Sequence, residues 1–179
     1  MPPGTSDDAA TTFVRQYFDF VWRVLRRLGL SPADADDAAQ RVMLAATARL
    51  ADIEAGSERA FLFRTASFIA SRERRGRRRR PEDSTADLDG IEEPGLDPEA
   101  LLAARRARER LDAVLGQMPD DLRAAFVLFE IEGLTKEEVA HALGIPAGTA
   151  ASRLRRARED FARRARHTHL AERPEGATA

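Results

Sequence analysis

The stretch TKEEVAHALGIPAGTAASRLRRARE, residues 135–159, decides the fold of the C-terminal part of this chain. Its opening residues, Thr135 to Glu138, match a capping box, in which a hydroxyl and a carboxylate satisfy the free amides at a helix start. Gly144 follows one short helix later, where a helix commonly ends in a left-handed turn. A second helix then starts near Pro146 and carries arginines on one side. A capped helix, a glycine turn and a basic second helix together predict a helix-turn-helix.

The rest of the chain also shows apolar residues at helical spacing, and no segment alternates as a β-strand does. Residues 81–98 break the pattern because they combine prolines and glycines with a run of acids. The sequence therefore predicts an all-α protein with two small helical domains joined by an acidic flexible linker. The predicted boundaries are a disordered N-terminus at 1–11, a first domain at 12–80, the linker at 81–98, a second domain at 99–166 and a disordered tail at 167–179.

Two helices of the first domain carry apolar residues that are expected to form a buried face. Ser31 and Pro32 start the second helix with a hydroxyl cap and a first-turn proline. The residues expected to be buried on that helix are Ala35, Ala38, Ala39, Val42, Met43 and Ala46. On the third helix they are Phe61, Leu62, Thr65, Phe68 and Ile69. Phe61 and Phe63 remain open to two interpretations, core packing or contact with nucleic acid.

The composition excludes several classes of site. The chain has no cysteine, so it has no disulfide, no thiol nucleophile and no cysteine-based zinc site. His141, His167 and His169 belong to no catalytic or metal-binding pattern, and no phosphate loop or Ser-His-Asp set stands out. No signal peptide and no apolar run of roughly 20 residues is found. We therefore expect no enzyme activity, no metal, no cofactor, no membrane insertion and a cytoplasmic location.

The formal net charge of −1 conceals a segregated distribution. Residues 72–80 hold seven arginines and one glutamate, whereas residues 82–99 hold eight acids and no base. Residues 149–166 again hold seven arginines, against two acids. Because a guanidinium binds phosphate in bidentate fashion, the two basic segments are candidate nucleic-acid contacts.

Each basic segment yields a set of candidate DNA-binding residues. In the helix-turn-helix, the first turns of the second helix would meet base edges and neighbouring cations would meet phosphates. These candidates are Thr135, Lys136, Thr149, Ser152, Arg153, Arg155 and Arg156. In the third helix, aromatic side chains beside arginines are typical of single-stranded DNA binders. These candidates are Arg59, Phe61, Phe63, Arg64, Arg72, Arg74 and Arg75. The alternatives are an ordinary helical hairpin with a solvated basic face, and phenylalanines that belong to the core.

Several motifs resemble the extracytoplasmic-function (ECF) sigma factors of bacterial RNA polymerase, which keep only regions 2 and 4. DADDAAQ at residues 34–40 and RAFLFR at 59–64 look like region 2. LGQMP at 115–119, EGLT at 132–135 and SRLRRAR at 152–158 look like region 4. Arg41, Phe61 and Ala150-Ala151 depart from the family pattern, which usually has Glu, Trp and Val-Lys there.

The resemblance implies a non-catalytic transcription initiation factor that recognises and melts promoters, nucleoid-associated when active. Docking on the β′ clamp helices of core polymerase is implied for Asp34, Asp36, Asp37, Gln40 and Arg41. Region 4 would sit on the β flap and read the minus-thirty-five element. The third helix and the loop at 51–57 would hold unpaired minus-ten bases. An anti-sigma protein is a further implied partner.

Two other interpretations stay open. A stand-alone helix-turn-helix regulator would bind its operator without polymerase. A protein-interaction module with a sigma fold would lack promoter activity altogether, which the departures at Arg41 and Ala150-Ala151 permit. The acidic start of the second helix could likewise be only a solvated helix end.

Overall fold

The structure is a computed structural model that describes residues 4–78 and 98–171, and within these ranges it holds helices and no strands. Seven α-helices follow one another: α1 Gly4–Arg27, α2 Pro32–Thr47, α3 Glu58–Arg78, α4 Pro98–Gln117, α5 Asp120–Phe126, α6 Lys136–Leu143 and α7 Ala147–Ala171. A 3-10 turn, Leu50–Asp52, precedes α3, and a π-helical segment, Val127–Ile131, continues α5. The predicted all-α class is confirmed. Apart from Pro98, the predicted linker lies outside the described residues.

Two helices are longer than the sequence predicts. α1 begins at Gly4, within the stretch predicted to be disordered. Asp8 near the positive end of the helix dipole, followed by Ala9 and Ala10, favours this early start. α7 continues to Ala171, past the predicted end at residue 166. The arginines and alanines of residues 162–166 favour helix, and residues 167–171 contain neither glycine nor proline to end it.

The N-terminal half, α1–α3, packs around small side chains of α2. Ser31 caps α2 by accepting a hydrogen bond from the Asp34 amide at 3.3 Å. The six residues predicted to be buried on α2 are all buried. Because four of them are alanines, α1 and α3 can approach α2 closely. Burial of Val21, Val24 and Leu25 on α1 stabilises this core by about 1.5–3 kcal/mol for each side chain.

The prediction for the buried side of α3 is partly confirmed, since Leu62 is fully buried and Ile69 is half-buried. Phe63 is fully buried, whereas Phe68, predicted to be buried, is 61% exposed. Phe61 and Thr65 are half-buried. The buried positions on α3 are Ala60, Leu62, Phe63, Ala66 and Ala70. The alanines of α3 lie against its neighbours, and this leaves Phe68 on the outer side.

The C-terminal half, α4–α7, has a core of its own around α7. Leu115, Met118, Phe126, Val127 and Ala157 are buried together there. The Phe161 ring stacks on Phe126 with 4.3 Å between the ring centroids.

The two halves also share a core. The buried cluster of α1–α3 continues into the C-terminal half through Leu128, Leu134, Val139 and Ala142. The contact runs mainly between α3 and α6. The C-terminal half therefore lies directly on the helix that carries the predicted minus-ten residues. The predicted division into two domains stays a prediction.

Candidate nucleic-acid interface

The start of α6 has both halves of the capping box. The Thr135 hydroxyl accepts a hydrogen bond from the Glu138 amide at 3.2 Å, and the Thr135 amide donates to Glu138 Oε2 at 2.7 Å. Two hydrogen bonds lower the pKa of Glu138 below its usual value. The larger effect comes from the backbone amide of Thr135 and the smaller one from the Thr135 hydroxyl. α6 ends at Gly144, whose φ of 64° lies in the left-handed region that glycine adopts without strain. This geometry fixes the direction in which α7 leaves the turn.

α7 begins with an exposed polar face. Ser152, Arg155 and Arg156 are exposed, and Thr149 is half-buried. Arg155 pairs with Glu159 on its own helix at 2.7 Å. No ion pair joins Arg156 to another residue in the described part of the chain. At the N-terminal end of α6, Thr135 and Lys136 are exposed as well. Six of the seven helix-turn-helix candidates therefore lie at or near the surface.

Arg153 lies apart from this face. Only 20% of its side chain is exposed, and its Nε is 3.6 Å from Asp121 Oδ2 at the start of α5. Arg153 therefore bridges α7 and α5. The two departures that precede it also differ in position, because Ala150 is fully buried and Ala151 is exposed. Only Ala151 stands where a side chain could reach out of the protein.

The α3 candidates divide into two groups, and one group faces the C-terminal half. The Arg59 guanidinium donates to the Glu132 carbonyl oxygen at 2.9 Å, and Arg64 donates to the His141 carbonyl oxygen at 2.6 Å. Arg74 donates to the Leu28 carbonyl oxygen at 3.0 Å and pairs with Asp120 at 2.6 Å. Phe63 is a fourth candidate engaged within the protein, because it is buried in the core.

The second group of α3 candidates is open to solvent. Phe61 is half-buried, while Arg72 and Arg75 are exposed. The Arg72 guanidinium lies 5.9 Å from the centre of the Phe68 ring. Phe68 was assigned to the core by its sequence pattern, but the residues Arg64, Phe68 and Arg72, spaced by four, indicate a shared helix face. That spacing is the signal by which Phe68 could have been recognised as a candidate.

The acidic start of α2 is partly engaged within its own half. Asp34 accepts a hydrogen bond from the Ser31 hydroxyl at 2.6 Å, and Asp36 accepts one from the Trp22 ring nitrogen at 2.7 Å. The remaining candidates line a shallow depression that also contains Leu44 and Glu73. They are Asp37, Gln40 and Arg41, all exposed.

Two features of that depression bear on protein contacts. Arg41 pairs with Glu73 at 2.8 Å, so this departure from the family pattern is balanced locally. Leu44 is 70% exposed within the depression, so an apolar side chain there is open to a partner. Sequence reasoning did not select Leu44.

The described residues show no cluster of three or more potential metal ligands. None of the described helices has the length and apolar character needed to cross a bilayer.

Both halves of the chain match profiles of known protein families. Residues 13–80 match the profile of Sigma-70 region 2, and residues 108–161 match that of Sigma-70, region 4. The chain is 33% identical over 162 residues to the ECF RNA polymerase sigma factor SigE of Mycolicibacterium smegmatis. This chain belongs to the sigma-70 family, in its ECF group. The resemblance carried by its motifs is thereby confirmed.

The sigma factor matches its relatives over part of their lengths. The alignment with SigE covers 88% of this chain and 63% of SigE. The ECF RNA polymerase sigma-E factor of Escherichia coli strain K12 is 36% identical over 91 residues, which cover 45% of this chain and 47% of that protein. The chain therefore spans less than two thirds of the length of these curated relatives.

Two solved structures share the fold of this sigma factor. The sigma factor RpoE from Bartonella quintana, in complex with the anti-sigma factor NepR, has a TM-score of 0.63 at 21% identity and covers 86% of this chain and 94% of that chain. CnrH, in complex with the cytosolic domain of CnrY, has a TM-score of 0.64 at 23% identity and covers 87% of this chain and 86% of that chain.

Proposed function

We propose that this sigma factor binds core RNA polymerase and directs it to promoters, which it recognises and helps to melt. The observation that carries the proposal is the exposed polar start of α7, where Ser152, Arg155 and Arg156 are exposed to solvent. The preceding helix, α6, begins with a capping box. A free helix start with hydroxyls and arginines on one face is suited to the major groove.

The minus-thirty-five element would be read by α6 and α7. Thr149 and Ser152 stand in the first turns of α7, where hydroxyls can reach base edges. Arg155 and Arg156 follow, where they can bind phosphates of the same groove. Thr135 and Lys136 lie exposed at the start of α6, where the Lys136 ammonium can bind a phosphate. Arg153 would join the base contacts only after releasing Asp121.

The minus-ten element would be held on the outer side of α3. Phe61 and Phe68 offer ring faces on which unpaired bases can stack, and Arg72 and Arg75 offer charge to the backbone. The loop at 51–57 begins within the 3-10 turn Leu50–Asp52 and precedes Phe61 in the chain. Flipped bases would lie against this loop. Stacking of bases on α3 would lower the free energy of the separated strands and so favour melting.

Core polymerase would dock on the exposed part of α2. Asp37, Gln40 and Arg41 surround Leu44, so an apolar contact and a rim of polar contacts are both available for the β′ clamp helices. The C-terminal half would sit on the β flap. An anti-sigma partner is part of the proposal because RpoE from Bartonella quintana, which shares this fold, is seen in complex with the anti-sigma factor NepR. In this role the protein is a non-catalytic factor that works in the cytoplasm, at the nucleoid when active.

The test combines the purified protein with core polymerase and genomic DNA and sequences the transcripts. We expect new start sites with a shared upstream element, and we expect Arg156→Ala to weaken them. Arg163→Ala is the matched control because it removes an exposed arginine from the far end of α7, where that side chain pairs with Asp160. Operator binding without polymerase would support the stand-alone regulator instead. Neither transcripts nor DNA binding would support a protein-interaction module.

A further inference from the structure

Glu73 is the only acid among the seven arginines of residues 72–80. Its neighbour Arg72 is exposed and lies beside the Phe68 ring on the outer side of α3. Glu73 instead reaches α2, where its Oε1 accepts a hydrogen bond from Arg41 at 2.8 Å. α3 therefore directs the one carboxylate of this basic segment to a different side of the helix.

The position of Glu73 follows from helical spacing. Ala66 and Ala70 are buried, and Glu73 lies seven and three residues after them, on the same side of α3. That side of the helix continues past the buried alanines, and Glu73 is half-buried where it emerges. A glutamate at this position has its carboxylate at the edge of the core, within reach of both α2 and a partner outside.

The depression beside α2 is lined by both helices. Asp34 and Asp37 contribute carboxylates from α2, and Glu73 contributes one from α3. Among the described residues that line the depression, Arg41 is the one cation, which leaves two net negative charges. Leu44 adds an exposed apolar side chain. This combination fits a partner surface that carries lysine or arginine around an apolar residue.

The ion pair between Arg41 and Glu73 is open to solvent, with 49% of the arginine side chain and 36% of the glutamate side chain exposed. A pair this exposed contributes little to stability, because water also solvates both charges well. The pair does restrict Glu73, since no other residue of the described ranges forms a hydrogen bond or ion pair with it. Arg41 thus holds Oε1, and Oε2 is available to a partner before that partner arrives.

We propose that Glu73 is a further core-docking residue that binds a basic group of the polymerase, and that Arg41 positions its carboxylate. The docking surface then spans α2 and α3, and each helix contributes acidic groups to it. α3 serves two partners, with DNA on the side of Phe68 and Arg72 and polymerase on the side of Glu73. This inference rests on the proposed function, because it concerns the surface on which core polymerase would dock.

The test measures binding of the full chain to core RNA polymerase in the absence of DNA. The chain has no cysteine, so Ala9→Cys at an exposed position of α1 can carry a fluorophore whose anisotropy reports binding. Glu73→Gln should bind about fivefold more weakly and with less salt dependence, because one charge contact is lost. Glu109→Gln is the matched control, because the Glu109 side chain is 38% exposed and also pairs with one arginine, Arg105 on α4. It should bind as the unmodified protein does.

The double variant Arg41→Glu/Glu73→Gln separates docking from support of the fold. It removes the ion pair but returns a carboxylate to the same end of the depression, from α2 instead of α3. We expect its affinity to recover to within about twofold of the unmodified protein, and its salt dependence to recover as well. A pair that only joins the two helices would not be rescued in this way. Circular dichroism confirms that each variant is folded, and the double variant decides if Glu73→Gln does not fold.

The outcomes separate this inference from the proposed function. Weaker binding by Glu73→Gln, with unchanged binding by Glu109→Gln and recovery in the double variant, supports the inference. Unchanged binding by folded Glu73→Gln would overturn it and leave docking on α2 intact. A folded double variant that binds no more tightly than Glu73→Gln would overturn it as well, because the carboxylate would then have no direct role. An unmodified protein that does not bind core polymerase would refute the proposed function and, with it, this inference.

Discussion

Arg153 and Asp121 join α7 to the start of α5, with 3.6 Å between Nε of the arginine and Oδ2 of the carboxylate. The Arg153 Nε is buried and has no hydrogen-bond partner among the described residues. Arg153 is therefore a candidate base-contact residue that already has a structural role. Its effect on promoter binding has to be separated from its effect on the fold.

Arg153→Ala should weaken promoter binding by about 1–3 kcal/mol if the side chain contacts a base. Asp121→Asn frees Arg153 without removing it, so it should leave binding unchanged or make it tighter. The measurement is holoenzyme affinity for one promoter fragment, together with the melting temperature of each variant. If Asp121→Asn weakens binding as much as Arg153→Ala does, the pair acts by supporting α7, and Arg153 leaves the set of base contacts.

Phe68→Ala should weaken single-stranded DNA binding by about 1–3 kcal/mol, because one stacking surface is lost. Since the side chain is 61% exposed, the free energy of unfolding should change little. Phe63→Ala, at a fully buried position on the same helix, should instead cost about 3–5 kcal/mol of stability. Binding to a single-stranded oligonucleotide and urea denaturation provide the two measurements. A Phe68→Ala variant that loses stability but not affinity would place Phe68 in a packing role.

The contrast between Phe63 and Phe68 shows how far the sequence could be read. The cap at Ser31, the alanine stripe of α2, the capping box at Thr135 and the turn at Gly144 follow from local rules, and the structure has all of them. On α3, apolar residues at 61, 62, 63, 68 and 69 surround much of the helix, so periodicity defines no single buried face. Which of these residues are buried depends on the helices that pack against α3.

The ion pairs of Glu132 with Arg23 and Arg59 could not be predicted from any local pattern. Glu132 lies 109 residues from Arg23 and 73 from Arg59 along the chain. Its sequence neighbours mark it as the first residue of the EGLT motif, before a turn glycine, and indicate no distant partner. Such a contact depends on how the two halves meet, and charge segregation indicates only that complementary faces exist.

Replacing Glu138 with Gln should keep the capping box but remove its dependence on pH, because Gln accepts the same hydrogen bond without a charge. The pKa of Glu138 is lowered in the folded state by the Thr135 amide and hydroxyl, so its charged form stabilises the fold. That contribution is complete above the unfolded value of about 4.3 and is lost as the pH falls through the lower folded value. The difference in melting temperature between the two proteins should therefore shrink between neutral pH and about pH 3.

Thr135→Ala provides the comparison, since it removes the cap itself and should cost about 1 kcal/mol of stability at neutral pH. Thermal melts of all three proteins across this pH range are the measurement. If the difference between Glu138 and Gln stays constant with pH, the carboxylate charge contributes nothing to the start of α6.

Ala151→Lys should tighten promoter binding and steepen its salt dependence by about one unit in the slope of log affinity against log salt. Ala151 is exposed at the head of α7, where the ECF pattern usually has a lysine, so the new ammonium can reach a phosphate. Ala162→Lys adds the same charge to an exposed position farther along α7 and should change the slope less. Ala150→Lys should instead lower the melting temperature, because Ala150 is fully buried and an unpaired ammonium there loses its hydration. The measurement is promoter affinity at several salt concentrations, with thermal melts of each variant. If Ala150→Lys gains affinity without losing stability while Ala151→Lys does not, a face of α7 other than the exposed one meets the DNA, and the assignment of Ser152, Arg155 and Arg156 fails with it.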